Sequence, residues 1–235
     1  MRSLMSFLTT IPTGSMSVGD AAKKSYLFPV IGLFIGLVVG LISFVLFQYL
    51  NPALAAVFTL FALYQITGIN HIDGLTDFAD GVYTLGGKEG KIKAMKDTQM
   101  GVAGVLMLFF ILALYLFGFY QAVGNILFIA VAEISAKTSM LLVMFLGKPG
   151  GDGMGRMFMK NLNRKMFLPS LLFSFVVCFY LTNYSGLIAL MVGLSTSIAI
   201  TLIAHRNFGY VNGDIFGAVN EISRLVVLLT LISLK

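Results

Sequence analysis

The sequence predicts an all-α fold: a polytopic transmembrane helical bundle of about seven spans, with its active site on the cytoplasmic side. Three observations carry that prediction. Hydrophobic residues make up 58% of the chain, charged residues 11%, and the mean hydropathy is +0.93, whereas soluble domains are roughly 25% charged. The stretches Ser25 to Asn70, Thr98 to Ala132 and Met166 to Ala204 carry no charge, and one crossing helix needs about 20 apolar residues. The basic residues flank these stretches. A soluble helical protein of 235 residues could not supply a shell for so much apolar surface.

Spans are expected at residues 26–48, 53–70, 101–121, 124–146, 166–182, 186–204 and 215–234, within one integral-membrane domain covering 1–235. The first follows Lys23 and Lys24 and carries Gly32, Gly36 and Gly40, a small-residue face that allows close helix contact. The second and fifth are short. The fourth holds Glu133 and Lys137 at i, i+4, an ionisable pair that should face the protein interior. The fifth contains Cys178, the only cysteine; a disulfide framework is excluded, and a structural thiol is the expectation. The seventh contains Glu221 and Arg224.

Loop charge orients the bundle. Lys88, Lys91, Lys93 and Lys96 lie between spans two and three, and Lys148, Arg156, Lys160, Arg164 and Lys165 between four and five. Both loops fall on one side, which the positive-inside rule makes cytoplasmic. Arg206 agrees, and the connections near 49–52, 122–123 and 183–185 are uncharged. The expected location is the cell membrane, multi-pass, with membrane lipid as a partner. The formal charge of +6 reflects this orientation, and no nucleic acid is expected to bind. A homo-oligomer remains open. No signal peptide is expected, since residues 1–19 are broken by Pro12, Gly14 and Gly19.

The most informative segment runs from His71 through Asp73, Asp77 and Asp80. On a helix the three aspartates fall at i, i+4 and i+7, on one face. Like charges that close are unfavourable unless a cation or a set of donors neutralises them. Oxygen ligands suit a hard cation such as magnesium, with phosphates completing the coordination. A solvated helix end would explain one aspartate, but not three following an uncharged span. His71 is offset from that face, and a zinc site gains little support from two histidines. Gly74 and Gly81 leave room for a ligand or a neighbouring helix.

Further along, Lys96 suits a phosphate oxygen, while Asp97 is placed to cap a helix or join the metal set. Glu133 and Lys137 either reach a polar substrate or pair structurally. The run from Gly150 to Arg156 has the composition of a phosphate-cradling loop without the spacing of a P-loop; a linker is the alternative. Asp214, in Asn212-Gly213-Asp214-Ile215-Phe216-Gly217-Ala218, is placed to cap the last helix and face the pocket at once.

Taken in order, these blocks resemble the membrane-bound cobalamin synthases, the adenosylcobinamide-GDP ribazoletransferases. The resemblance runs from Phe7-Leu8-Thr9-Thr10-Ile11-Pro12 and Tyr26-Leu27-Phe28-Pro29 through Thr67-Gly68 and His71 to Gly81. It continues in Ala94-Met95-Lys96-Asp97, Gly101 and Asn212 to Ala218. Thr98-Gln99-Met100 departs from the family's Ser-Arg-Ile-like stretch. The resemblance implies transfer of the adenosylcobinamide phosphate moiety from adenosylcobinamide-GDP to α-ribazole, or α-ribazole 5′-phosphate, with release of GMP. Mg2+ would be held by Asp73, Asp77, Asp80 and Asp97, which also form the catalytic set. His71, Lys96, Glu133, Lys137, Arg156 and Asp214 would contact substrate and its phosphates. The family is distantly similar to the CDP-alcohol phosphatidyltransferases, but Asp73-Gly74-Leu75-Thr76-Asp77-Phe78 lacks their Ala-Arg. Another phosphotransferase of that type and a transporter are the alternatives.

Overall fold

A computed structural model describes residues 1–14, 17–151 and 153–235. Asp152, within the glycine-rich run, lies outside the described residues. The helices are α1 (Arg2–Leu8), α2 (Val18–Lys23), α3 (Phe28–Tyr49), α4 (Pro52–Thr67), α5 (Asn70–Tyr83) and α6 (Lys88–Met95). They continue with α7 (Val102–Ala122), α8 (Ile126–Leu146), α9 (Met154–Asn161), α10 (Arg164–Asn207) and α11 (Gly213–Ser233). A short 3-10 turn, Ser25–Leu27, leads into α3. The described residues form no sheet, only an isolated bridge between Pro149 and Val211.

Five helices are long and apolar enough to cross a membrane: α3 with its leading turn, α7, α8, α10 and α11; α4 and α5 together make a sixth candidate, bent by 96°. This is a multi-pass membrane protein. Helix α10 accounts for two passes. Its 44 residues contain a break at Thr182 and Asn183, and the chain reverses there. Ser174 bonds Thr138 at 2.7 Å, while Gly193 lies against Ser135 and Ser139. Both halves of α10 therefore meet α8 at the same level, although a straight helix would separate residues 174 and 193 by about 28 Å. With α4 as the remaining crossing segment the chain traverses the bundle seven times.

Local chemistry sets the ends of these segments. Asn51, Asn125, Asn163 and Asn212 are N-caps, accepting amide hydrogens from Leu54, Leu127 and Phe128, Met166 and Ile215 respectively, which satisfies donors that a helix start leaves free. Helix α4 stops at Thr67, earlier than the expected 70, because Gly68 takes φ +71°, a conformation open to glycine. The exposed carbonyls at that end are taken by Thr10, whose amide donates to Ile66 at 2.8 Å and whose hydroxyl donates to Gln65. After the bend α5 lies at one end of the bundle, outside the crossing segments.

Helices α8 and α11 occupy the middle of the bundle, and the outer faces of α3, α4, α7 and α10 expose Phe34, Phe58, Phe61, Phe109, Phe110 and Leu172. Gly32, Gly36 and Gly40 pack directly on the α8 backbone at Glu133, Ala130 and Ile126, so the small-residue face is used within the chain. A methyl at Gly36 would fall inside van der Waals distance of the Ala130 Cα. Gly36→Ala is expected to lower stability by about 1–3 kcal/mol, read as a lower melting temperature in detergent. Gly90→Ala, with open space around it, is the control and should not destabilise.

The basic loops gather at one end. Lys91 Nζ donates to Asn207 at 2.9 Å, the Lys148 amide donates to His205 Nε2 at 3.1 Å, and Ser170 bonds the Tyr26 carbonyl. The turn joining α7 to α8 lies at the other end, where Gly124 touches Phe44 and Phe47 near the end of α3.

Candidate active site

The site forms where α5 crosses the start of α11. Gly74 lets α5 approach the Asp214 backbone, and Gly217 lets α11 approach the backbone of His71. A side chain at either glycine would force the two helices apart. This contact places Asp73 and Asp77 beside Asp214. Partial burial first, then the charges of Asp214, Asp73 and Asp80, push the Asp77 carboxyl up to about 6. Lys96, at the end of α6, is near enough for its positive charge to act on Asp214. Four sequence-predicted residues, Asp73, Asp77, Asp214 and Lys96, are thus brought together.

Asp80 has a defined structural task. Its Oδ2 accepts the Gly101 amide at 2.7 Å and its Oδ1 accepts the Gly104 amide at 2.8 Å. The carboxylate sits on the first turn of α7, where unpaired amides and the helix dipole favour negative charge. It therefore takes the α7 capping role considered for Asp97, which is exposed and accepts the Gln99 amide at 3.0 Å. The cap of α11 is Asn212 rather than Asp214, because Asn212 immediately precedes the first helical residue. Asn212 Oδ1 accepts the Ile215 amide, and its Nδ2 donates to Asp214 at 2.7 Å.

A cavity of about 450 Å³ opens beside this cluster. Asp73, Asp214 and His71 line it, together with Thr9, Thr10, Thr67 and Asn70. Ser6 also lines it, and the apolar side chains of the wall are Phe7 from α1, Met140 and Met144 from α8, Met154 and Phe158 from α9, and Phe216. The Nδ1 of His71 is buried and has no hydrogen-bond partner among the described residues.

Glu133 and Lys137 face the interior, as expected, but they do not line this cavity. They belong to a buried network behind His71. Arg224 pairs with both Glu133 and Glu221, at 2.8 Å to the latter. Lys137 Nζ donates to Asn220 at 2.6 Å and lies 3.5 Å from Glu133. Tyr64 and Tyr115 donate to Glu221 at 3.0 and 3.2 Å. Two acids and two bases leave the network neutral, and it ties α4, α7, α8 and α11 together.

The glycine-rich run also has packing duties. The Gly150 amide donates to the Val211 carbonyl at 3.0 Å, so it is not free for an anion, and Tyr210 fills the space a Gly150 side chain would need. Arg156, on the first turn of α9, donates to the Gly151 carbonyl at 3.4 Å.

Comparison with known proteins decides the family. A family model described as cobalamin-5-phosphate synthase matches residues 1–232. The chain belongs to that family. Among its relatives, the adenosylcobinamide-GDP ribazoletransferase of Methanosarcina barkeri is 37% identical over 96% of this chain and 88% of its own length. Those of Methanococcoides burtonii and Pyrococcus furiosus are 33% and 34% identical, each over 98% of this chain and over 90% and 98% of their own lengths. No solved structure matches the chain. The cobalamin synthase family makes this protein a transferase of late cobalamin biosynthesis.

Sequence reasoning missed Tyr64, Tyr115 and the Arg224 ion pairs, and the methionines that line the cavity. Glu221 and Arg224 in an otherwise apolar span were the available signal, because intramembrane charges require partners. Met140 and Met144 gave no such signal, since methionine is an ordinary core residue.

Proposed function

We propose that the protein transfers the adenosylcobinamide phosphate moiety from adenosylcobinamide-GDP to α-ribazole, or its 5′-phosphate, giving adenosylcobalamin or its 5′-phosphate and GMP. The observation that carries this reading is the meeting of Asp77 with Asp73 and Asp214, the last two of which line a ligand-sized cavity, in a chain of this family. The acceptor's 5′-hydroxyl attacks the phosphorus bearing cobinamide. A new P–O bond forms, the bond to GMP breaks, and the hydroxyl proton passes to a carboxylate of the cluster. Lys96 offsets negative charge growing on the phosphoryl oxygens. Enclosure by α1, α8 and α9 limits water, the competing nucleophile.

The carboxylates fit magnesium in a particular form. Among the described residues no three acidic, histidine or cysteine side chains converge as a ready-made metal cage. Magnesium ordinarily takes one or two carboxylates and completes its shell with water and substrate phosphates. Asp73 and Asp77 would hold it in that way, and the acidic neighbours that add to the effect of burial in raising Asp77 support a cation there. Bound magnesium would neutralise pyrophosphate charge and favour departure of GMP. Asp80 contributes by fixing the start of α7, and Asp97, next to Lys96, is exposed and accepts the Gln99 amide. By the positive-inside rule this end faces the cytoplasm, in the cell membrane.

Purified protein reconstituted in lipid, given adenosylcobinamide-GDP, α-ribazole and magnesium, should form adenosylcobalamin and GMP in equal amounts and stop when EDTA is added. No product from folded protein with either acceptor sinks the reading. Product that persists in EDTA removes magnesium from it.

A further inference from the structure

The start of α11 is held from several sides, and the restraints converge on one carboxylate. Asn212 meets two groups of opposite polarity. Its Oδ1 accepts the Ile215 amide at 3.2 Å, and its Nδ2 donates to Asp214 Oδ2 at 2.7 Å. An amide N–H only donates and an ionised carboxylate only accepts, so a single orientation of the asparagine serves both. Capping the helix needs the first bond alone. The second is additional, and it occupies one oxygen of Asp214. The other oxygen, Oδ1, accepts no hydrogen bond among the described residues, yet it is not one of the buried unpartnered atoms. It is open to a ligand.

The backbone that carries Asp214 is constrained as well. The bridge between Pro149 and Val211 staples the α8–α9 connection to the residue before Asn212. It is made by the Val211 amide on the Lys148 carbonyl at 2.8 Å and the Gly150 amide on the Val211 carbonyl at 3.0 Å. Gly155 of α9 packs on Asn212 and Gly213, where a Cβ would fall 2.9 Å from the Gly213 nitrogen, and Gly74 of α5 packs on Asp214 itself. A solvated acid at a helix start needs none of these restraints. Asp214 lines the cavity, and its charge acts on Asp77 more strongly than does that of Asp73, one turn away on the same helix. Its open oxygen therefore lies beside both the cavity and the pair assigned to magnesium.

We propose that Asn212 is a positioning residue, which aims Asp214 so that its Oδ1 receives the hydrogen of the attacking hydroxyl. The hydroxyl oxygen forms the new bond to phosphorus, the bond to GMP breaks with its electron pair leaving on GMP, and the proton ends on Asp214. Asp73 and Asp77 are left for the cation, whose coordination would occupy their lone pairs. A donor that fixes one carboxylate oxygen sets where the other lies, and a misplacement of about 1 Å at a reacting group costs on the order of a hundredfold in rate. The proposal rests on the transferase reading above and adds which carboxylate takes the proton and what aims it.

Two variants of the full-length protein, reconstituted in lipid, separate aiming from capping. Asn212→Asp keeps a good N-cap and loses the donor; Asn212→Ala loses both and adds no charge. Each should lower kcat by about 10–100-fold, the usual cost of removing a hydrogen-bond partner that orients a site ligand. The KM for either substrate and the half-saturating magnesium concentration should change by less than about twofold. The larger fall in melting temperature should belong to Asn212→Ala. Wild-type turnover in Asn212→Asp would mean that Asn212 only caps α11, and overturns the proposal. So does a loss carried by the KM of either substrate, which would make Asp214 a binding group, for instance for the N–H edge of the donor's guanine. A raised magnesium requirement would place Asp214 on the metal and overturns it too. Should Asn212→Ala not fold, Asn212→Asp decides. No product from the wild type removes the transferase reading and this proposal together, whereas an active wild type beside an unaffected Asn212→Asp removes the proposal alone.

Discussion

Replacing Asp73 or Asp77 with asparagine is expected to lower transfer on the order of a thousandfold while the protein still inserts and folds. The loss should exceed the ~10–100-fold that follows removal of an outer hydrogen-bond partner of a metal ligand, because the ligating charge itself is gone. Asparagine keeps the size and one acceptor oxygen, so the change is almost wholly electrostatic. The sign of the stability change separates this from damage to the fold. Asp77 titrates near 6, raised by burial and by its acidic neighbours. A carboxyl raised in the folded state opposes folding wherever it is ionised, so at neutral pH the charge is a liability without a counter-ion. Asp77→Asn should therefore hold or raise the melting temperature of the metal-free protein while activity collapses. Asp80→Asn should behave differently: it weakens two bonds to the α7 amides and lowers the melting temperature. Turnover, magnesium dependence and thermal unfolding of the variants check these outcomes together. Near-normal turnover in both Asp73→Asn and Asp77→Asn would eliminate the carboxylate site.

The contrast among these aspartates shows where sequence reasoning reaches its limit. Their i, i+4, i+7 spacing already implies a shared helix face, since helical periodicity is local. That Asp80 is drawn off to the α7 amides depends on Gly101 and Gly104 approaching it from more than twenty residues away, and no local pattern encodes that approach. The spans follow the same division. Long uncharged stretches announce crossings, and the reversal within α10 falls at Asn183, inside the expected uncharged connection. The end of α4 shifted because one glycine, Gly68, took a positive φ and bent the chain. Gly32, Gly36 and Gly40 marked a packing face in the sequence, but only the structure identifies α8 as its partner. Likewise Glu133 and Lys137 were legible as interior charges, while the groups that satisfy them, Asn220 and Arg224, lie some eighty to ninety residues on.

Arg224→Met should be among the most destabilising single substitutions in the chain, by about 3–5 kcal/mol, because it leaves a buried carboxylate without its counter-charge. The network holds Glu133 and Glu221 against Lys137 and Arg224, and its neutrality is what makes four charges tolerable inside an apolar bundle. Charge balance therefore predicts a rescue. Glu133→Gln in the Arg224→Met background leaves Glu221 and Lys137, again one acid and one base, and should recover at least about half of the loss. Glu133→Gln alone unbalances the network in the opposite sense and should destabilise. Unfolding in mixed micelles of the wild type, both single variants and the double variant gives the coupling directly. Additive losses would show that the individual bonds to Tyr64, Tyr115 and Asn220 hold the helices, and that charge balance does not. A rescued double variant with restored stability and a raised KM for the acceptor would make a further point. Because the network stands behind His71 and fixes α11 against α4, α7 and α8, its charges would then serve to keep the α5–α11 crossing at the spacing that the carboxylates of the site require.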